Sequence, residues 1–178
     1  MYSITIQNVV ASASLETEIP LEKIATTLEN TEYNPEQFPG LVLRIKEPKV
    51  STLIFSSGNI VCTGAKSSKM VKDAVDKIVT ELRKTKIKIK DDTKIKIQNI
   101  VASGNFNINL NLDNLAFNLE SAEYEPEQFP GLVYKVPDSH ITFLLFGTGK
   151  FVCTGSKNKK ELCTTVESLL KTLKKIKK

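Results

Sequence analysis

A chain of 178 residues, 40% hydrophobic and 25% charged, has the length of one domain or two small ones and the composition of an ordinary soluble globular protein. Its net charge of +5 favours an acidic partner, either nucleic acid or an anionic surface, without choosing between them. Three cysteines, none in a CxxC, speak against a disulfide framework, no apolar run has membrane-spanning length, and Met1-Tyr2-Ser3-Ile4-Thr5 has neither the basic nor the apolar region of a signal peptide.

In chain order, Ile4 to Ala13 is rich in β-branched residues and predicts a strand. Leu21, Ile24, Ala25 and Leu28 have the spacing of a short helix within Pro20 to Leu28. A loop with Asn34-Pro35 and Pro39-Gly40 follows, then strands at Leu41 to Lys46 and Ser51 to Phe55 joined at Glu47-Pro48-Lys49. Ser57-Gly58-Asn59 is a turn and Ile60 to Thr63 the next strand. Ser67 or Ser68 can cap a helix running to about Arg83, with Val71, Ala74, Val75, Ile78, Val79 and Leu82 on one stripe. Lys86-Ile87-Lys88-Ile89-Lys90 alternates strictly and predicts a strand with one wet face. The same order then returns: a strand over 94–104, a helix over 112–119, three strands, and a helix from about Lys159 to Lys174 with Leu162, Cys163, Val166, Leu169, Leu170 and Leu173 on its stripe. Each copy thus reads β-α-β-β-β-α plus one strand in the linker, and hairpin connections make the sheet antiparallel.

The return is literal in places. Glu36-Gln37-Phe38-Pro39-Gly40-Leu41-Val42 recurs letter for letter as Glu127-Gln128-Phe129-Pro130-Gly131-Leu132-Val133, and Val61-Cys62-Thr63-Gly64 as Val152-Cys153-Thr154-Gly155. At this fixed offset roughly 29 of about 63 positions from Ile4 to Lys66 match their partner, which makes the chain a duplication. Two copies are too few for a solenoid and fit a two-lobed, pseudo-twofold molecule. Cys62 and Cys153, equivalent by repeat, read as buried free thiols in a reducing compartment.

Period two places Asn8, Val10 and Ser12 on one side of the first strand and Val9, Ala11 and Ala13 on the other. Leu53 shares a side with Phe55, and Val61 with Thr63, while Ile54, Ile60 and Cys62 point the opposite way. Both sides are mainly apolar, yet one long and one short helix per copy can cover only one. The uncovered side predicts an interaction surface. Arg44, Lys49 and Lys66 flank it in the first copy, and Lys135, Lys150 and Lys157 in the second. An apolar centre with amides and hydroxyls, rimmed by cations, suits a groove floor with phosphates along its edges. A structural homodimer packed through this face, or a carrier holding a small apolar ligand there, would satisfy the same pattern.

Gln-Asn-(Val/Ile)-Val-Ala twice, Glu-Tyr-X-Pro-Glu-Gln-Phe-Pro-Gly-Leu-Val twice, Leu-Ile-Phe-Ser-Ser-Gly with its variant Leu-Leu-Phe-Gly-Thr-Gly, and Val-Cys-Thr-Gly-(Ala/Ser)-Lys twice follow one another over about Ile4 to Leu173. In that order they resemble the core of the TATA-box-binding protein family of general transcription initiation factors. Glu-Gln-Phe-Pro-Gly in both halves resembles its archaeal form. The resemblance implies an α+β fold: a saddle of ten antiparallel strands with helices on the convex face, the first repeat in 1–90 and the second in 91–178.

By position, the resemblance makes Phe38, Phe55, Phe129 and Phe146 the wedges that intercalate into DNA. It gives minor-groove base contacts to Asn8, Val10, Leu53, Val61 and Thr63 and to Asn99, Val101, Leu144, Val152 and Thr154. It gives phosphate contacts to Arg44, Lys49, Lys66, Lys135, Lys150 and Lys157. Gln37, Asn59, Asp138 and His140 depart from the more basic pattern of eukaryotic members and lighten that rim. Glu125, Glu127 and Gln128 would dock the next initiation factor, TFB in archaea and TFIIB in eukaryotes, with RNA polymerase engaged indirectly. Neither enzymatic activity, cofactor nor metal is implied, and the compartment is the nucleoid-associated cytoplasm of an archaeon or the nucleus of a eukaryote.

Overall fold

The computed structural model describes residues 1–177. The first copy comprises β1 (Ser3–Ser14), α1 (Leu21–Thr27), β2 (Thr31–Glu32), β3 (Leu41–Ile45), β4 (Val50–Ile54), β5 (Asn59–Ala65) and α2 (Ser68–Arg83). The second comprises β6 (Ile95–Asn105), α3 (Leu112–Asn118), β7 (Ala122–Glu123), β8 (Leu132–Lys135), β9 (Thr142–Leu145), β10 (Lys150–Ser156) and α4 (Lys159–Ile176). Among the described residues, ten antiparallel strands and four helices make the fold α+β.

The long helices form where an apolar stripe and a cap coincide. Val71, Ala74, Val75, Ile78, Val79 and Leu82 are all buried, and Ser67 Oγ accepts the Met70 N–H at 3.0 Å. In α4 the buried stripe is Leu162, Val166, Leu169, Leu170 and Leu173, and Asn158 Oδ1 accepts the Glu161 N–H at 2.7 Å. Asn111 caps α3 in the same way, whereas Pro20 stands before α1 with no side-chain cap.

Compact packing divides the chain into Asn8–Gln98 and a second unit of Met1–Gln7 with Asn99–Lys178. The units are not the sequence repeats: the first residues of each long strand pack with the other copy. Tyr2 OH donates to Glu167 Oε1 at 3.2 Å and Gln7 Nε2 to Ser103 Oγ at 2.8 Å, both inside the second unit. Gln98 Nε2 donates to Ser12 Oγ at 2.8 Å inside the first. A side chain at Gly104 would stand 2.2 Å from Ser3 O and 2.5 Å from the Phe151 ring, so only glycine permits this approach.

Within the first unit the strand order is β2-β3-β4-β5-β1, and within the second β6-β10-β9-β8-β7. The fifth strand of each set is therefore the two-residue β2 or β7, which pairs Thr31 with Leu43 and Ala122 with Tyr134. It is not a linker strand. Lys86–Lys90, expected to be that strand, is an irregular connection. Lys86 turns at φ 66°, and Arg83 Nη2 binds Ile89 O at 2.6 Å and Asp91 Oδ1 at 2.7 Å, so the segment lies along its own helix end rather than a strand partner. Its alternation still has meaning, because Ile89 is buried and the lysines are exposed.

The helix-covered side of each half is the core. In the second half it stacks Phe106 on Phe151 at 4.4 Å, with Phe143 edge-on to Phe151 at 5.8 Å. The equivalent first-half positions are Leu15, Ile60 and Thr52, all buried. Cys62 and Cys153 are buried free thiols, as expected, and burial pushes both pKa values up, that of Cys153 to about 12.

Candidate nucleic-acid interface

The opposite side of each half is ordered in three rows. Strand pairing lines up Val42, Leu53, Val61 and Ser12 across β3, β4, β5 and β1. All four are half-buried, while their neighbours Leu41, Ile54, Ile60 and Ala13 are buried on the helix side. One step along, Arg44, Ser51 and Thr63 form a polar row that Asn8 completes through its bond to Thr63. On the other flank Phe55 follows Leu53 along the chain, with Phe38 against it. The second half repeats the plan: Val133, Leu144, Val152 and Ser103 in one row, Lys135, Thr142, Thr154 and Asn99 in the next, and Phe146 with Phe129 on the flank. Val10 and Val101 are half-buried on this side, between their buried strand neighbours.

The phenylalanine pairs are built alike. Phe38 and Phe55 sit edge to face with centroids 6.0 Å apart at 65°, and Phe129 and Phe146 are 6.0 Å apart at 67°. Phe38 and Phe129 are 43% and 41% exposed, which rules out a core role for them. Their loops close on one turn, the Phe38 N–H donating to Asn34 O and the Phe129 N–H to Glu125 O, each at 3.0 Å. The glycines two residues on hold the rings in place. A Cβ on Gly40 would stand 2.7 Å from the Phe38 ring and 3.1 Å from that of Phe55, and one on Gly131 would stand 2.8 and 3.1 Å from Phe129 and Phe146.

A bulge fixes each asparagine. The β1–β5 register shifts between Val9 and Ala11, and the β6–β10 register between Cys153 and Ser156. Gly64 (φ 104°) and Gly155 (φ 105°) take the left-handed backbone of that irregularity. The Gly64 N–H turns to Asn8 Oδ1 at 2.7 Å, and the Gly155 N–H to Asn99 Oδ1 at 2.8 Å. A backbone N–H can only donate, so each amide oxygen is assigned. Each amide nitrogen then donates one N–H to the neighbouring threonine Oγ1 at 2.9 Å, and its second N–H has no side-chain or backbone acceptor among the described residues.

The six basic residues are all exposed. Arg44 Nη2 lies 3.2 Å from Glu32 Oε2, and Lys135 Nζ lies 3.7 Å from Glu123 Oε1. Exposed ion pairs contribute at most about 1 kcal/mol, so another anion can displace either carboxylate. Lys49 sits in the β3–β4 turn, Lys150 opens β10 beside Phe146, and Lys66 and Lys157 follow the ends of β5 and β10. Glu125, Glu127, Gln128 and His140 are exposed. Among the described residues no group of three or more His, Cys, Asp or Glu could hold a metal ion, and no helix is long and apolar enough to cross a membrane.

Several contributors carry weak sequence signals. Val42 and Val133 join the apolar rows, and their place in the repeated heptapeptide is the signal that marks them. The roles of Gly40, Gly64 and their repeats depend on close approaches and backbone angles that strand periodicity does not encode.

The family model for transcription factor TFIID, or TATA-binding protein, matches this chain twice, over residues 3–85 and 94–176. The TATA-box-binding protein of Picrophilus torridus is 50% identical over 178 residues, covering 99% of this chain and 97% of that one. That of Methanothermobacter thermautotrophicus is 52% identical over 164 residues, covering 92% and 91%. A solved structure, Methanococcus jannaschii TBP, superposes with a TM-score of 0.91 at 47% identity, covering 97% and 99%.

Proposed function

Because this chain belongs to the TATA-box-binding protein family, we propose that it is a transcription initiation factor that binds A·T-rich promoter DNA in the minor groove. The observation that carries this is the three-row order, wedge, apolar and polar, present in both halves with matching ring geometry. A duplex is a two-stranded, near-symmetric ligand, and a duplicated surface suits it.

Each row meets a different part of the groove. The spare amide N–H of Asn8 and of Asn99 donates to the adenine N3 and thymine O2 acceptors, where a G·C pair would present its own amino donor. The Val10, Leu53 and Val61 row, with Val101, Leu144 and Val152, lies against the groove floor and penalises a protruding amino group by desolvating it. Thr63 and Thr154 orient the amides and add hydroxyl contacts. Phe38 with Phe55, and Phe129 with Phe146, wedge into partly unstacked steps. The bend that results is carried over from the family, whose members are a standard example of such bending. Arg44, Lys49, Lys66, Lys135, Lys150 and Lys157 exchange carboxylate or water for phosphate, which gives affinity and salt dependence but no sequence reading.

Glu125, Glu127 and Gln128, exposed on the second-half loop, dock a basic surface of a TFB-type factor, through which RNA polymerase is recruited. The chain acts by binding and not by catalysis, with the chromosome as its place of work.

Titration of a short A·T-rich duplex against a G·C-rich control tests the reading. Binding at least about tenfold tighter to the A·T duplex is expected, since a mismatched pair costs about 1–3 kcal/mol. Equal affinity, or none, rejects it. In the same assay Phe146→Ala should reduce bending, read as end-to-end energy transfer, without lowering the melting temperature in proportion.

A further inference from the structure

Among the described residues the exposed large apolar side chains are Met1, Phe38, Phe117 and Phe129. Met1 is terminal and two of the phenylalanines are wedges. Phe117 has no part in that surface, yet it is 90% exposed. Isolated apolar side chains are common on surfaces, so exposure alone decides nothing. The surroundings do.

Phe117 lies on α3, whose Leu112 and Leu115 are buried. Asp113, one turn earlier on the same outward side, is also exposed. The adjacent row is closed on itself, with Asn118 Nδ2 donating to Asn114 O and Oδ1. Beyond the helix Glu120 is exposed, and its charge adds to burial in raising the Tyr134 hydroxyl pKa. From Leu112 to Tyr134 the chain carries Asp113, Glu120, Glu123, Glu125 and Glu127 and not one lysine or arginine. In a protein of net charge +5 this is a concentrated acidic stretch.

The first copy gives the comparison. There Thr26 stands for Phe117, Lys23 for Asn114, Asn34 for Glu125, and the buried Leu43 for the half-buried Tyr134. The second half alone has the ring, the extra carboxylate and no cation. A ring beside carboxylates takes a long cationic side chain well. The aliphatic stem packs on the ring face, the charge meets the quadrupole, and the carboxylates take the remaining charge.

We propose that Phe117, with Asp113 one helical turn before it and Glu120 three residues after it, is the apolar anchor of a docking surface for an arginine- or lysine-bearing segment of the recruited initiation factor. This rests on the recruitment reading above and extends the contact from the Glu125–Gln128 loop back onto α3. Electrostatics sets the rate of encounter and the ring sets the lifetime of the complex.

The test uses the whole chain bound to an A·T-rich duplex, with a purified TFB-type factor titrated onto it. Phe117→Thr places the first copy's own residue at the site and so spares the fold. Duplex affinity should be unchanged, and the Kd for the factor should rise about tenfold, as for loss of an aromatic anchor. Asp113→Lys should slow association and flatten its salt dependence. If Phe117→Thr holds the factor within about twofold of the parent while Glu127→Arg releases it, the anchor is wrong and recruitment by the loop stands. If Glu127→Arg also keeps the factor, the recruitment reading fails and takes the anchor with it. Loss of duplex binding by Phe117→Thr would assign the residue to the fold or to DNA and overturn the proposal.

Discussion

Thr52 and Phe143 occupy the same place in the two copies, both fully buried and chemically unlike. The Phe143 ring joins an aromatic cluster, whereas the Thr52 hydroxyl is buried with no hydrogen-bond partner. A buried hydroxyl without a proper partner costs about 1–3 kcal/mol, and valine has nearly the same shape. Thr52→Val should therefore raise unfolding stability by about 1 kcal/mol in a denaturant titration; an unchanged or lower midpoint would show that the hydroxyl is satisfied in solution. At this scale strand parity sorts the faces correctly, because Asn8, Val10 and Ser12 are half-buried and Val9, Ala11 and Ala13 buried. What parity cannot give is the bulge at Gly64 that aims the Asn8 amide, since that depends on the register of a strand more than 50 residues away.

Among the elements, the helices are the most legible. An apolar stripe repeating every three or four residues next to a serine or asparagine cap is a local signal, and α2 and α4 follow it. Ser67→Ala removes the oxygen that holds the Met70 N–H and should cost about 1 kcal/mol in thermal or chemical unfolding. Replacing Pro20 at the start of α1 should show no comparable loss of a cap bond, because no side chain caps that helix. Strands are less legible, since a strand exists only with a partner. Lys86–Lys90 alternates as a strand should but meets none, whereas the two-residue β2 and β7, too short to carry a pattern, pair through contacts made later in the chain.

For the whole molecule the repeat is plain in the letters, but the compact units cross it. Met1–Gln7 packs with the second copy, through Tyr2 on Glu167, Gln7 on Ser103 and Ser3 against Gly104. A fragment cut at the repeat boundary, 91–178, should accordingly melt well below the same fragment carrying Met1–Gln7 fused at its start, as followed by circular dichroism. Equal melting would mean that the early residues add nothing to that unit. A different consequence follows from the phenylalanine pairs. They hold the same spacing and tilt above two chemically different interiors, one aliphatic with a threonine and one aromatic. Their posture must then come from what is immediately around them, namely the tight turn, the missing Cβ of the glycine and the opposing ring. Each phenylalanine pair is in that sense a self-contained cassette, and grafting it onto an unrelated hairpin should transplant its posture along with its letters.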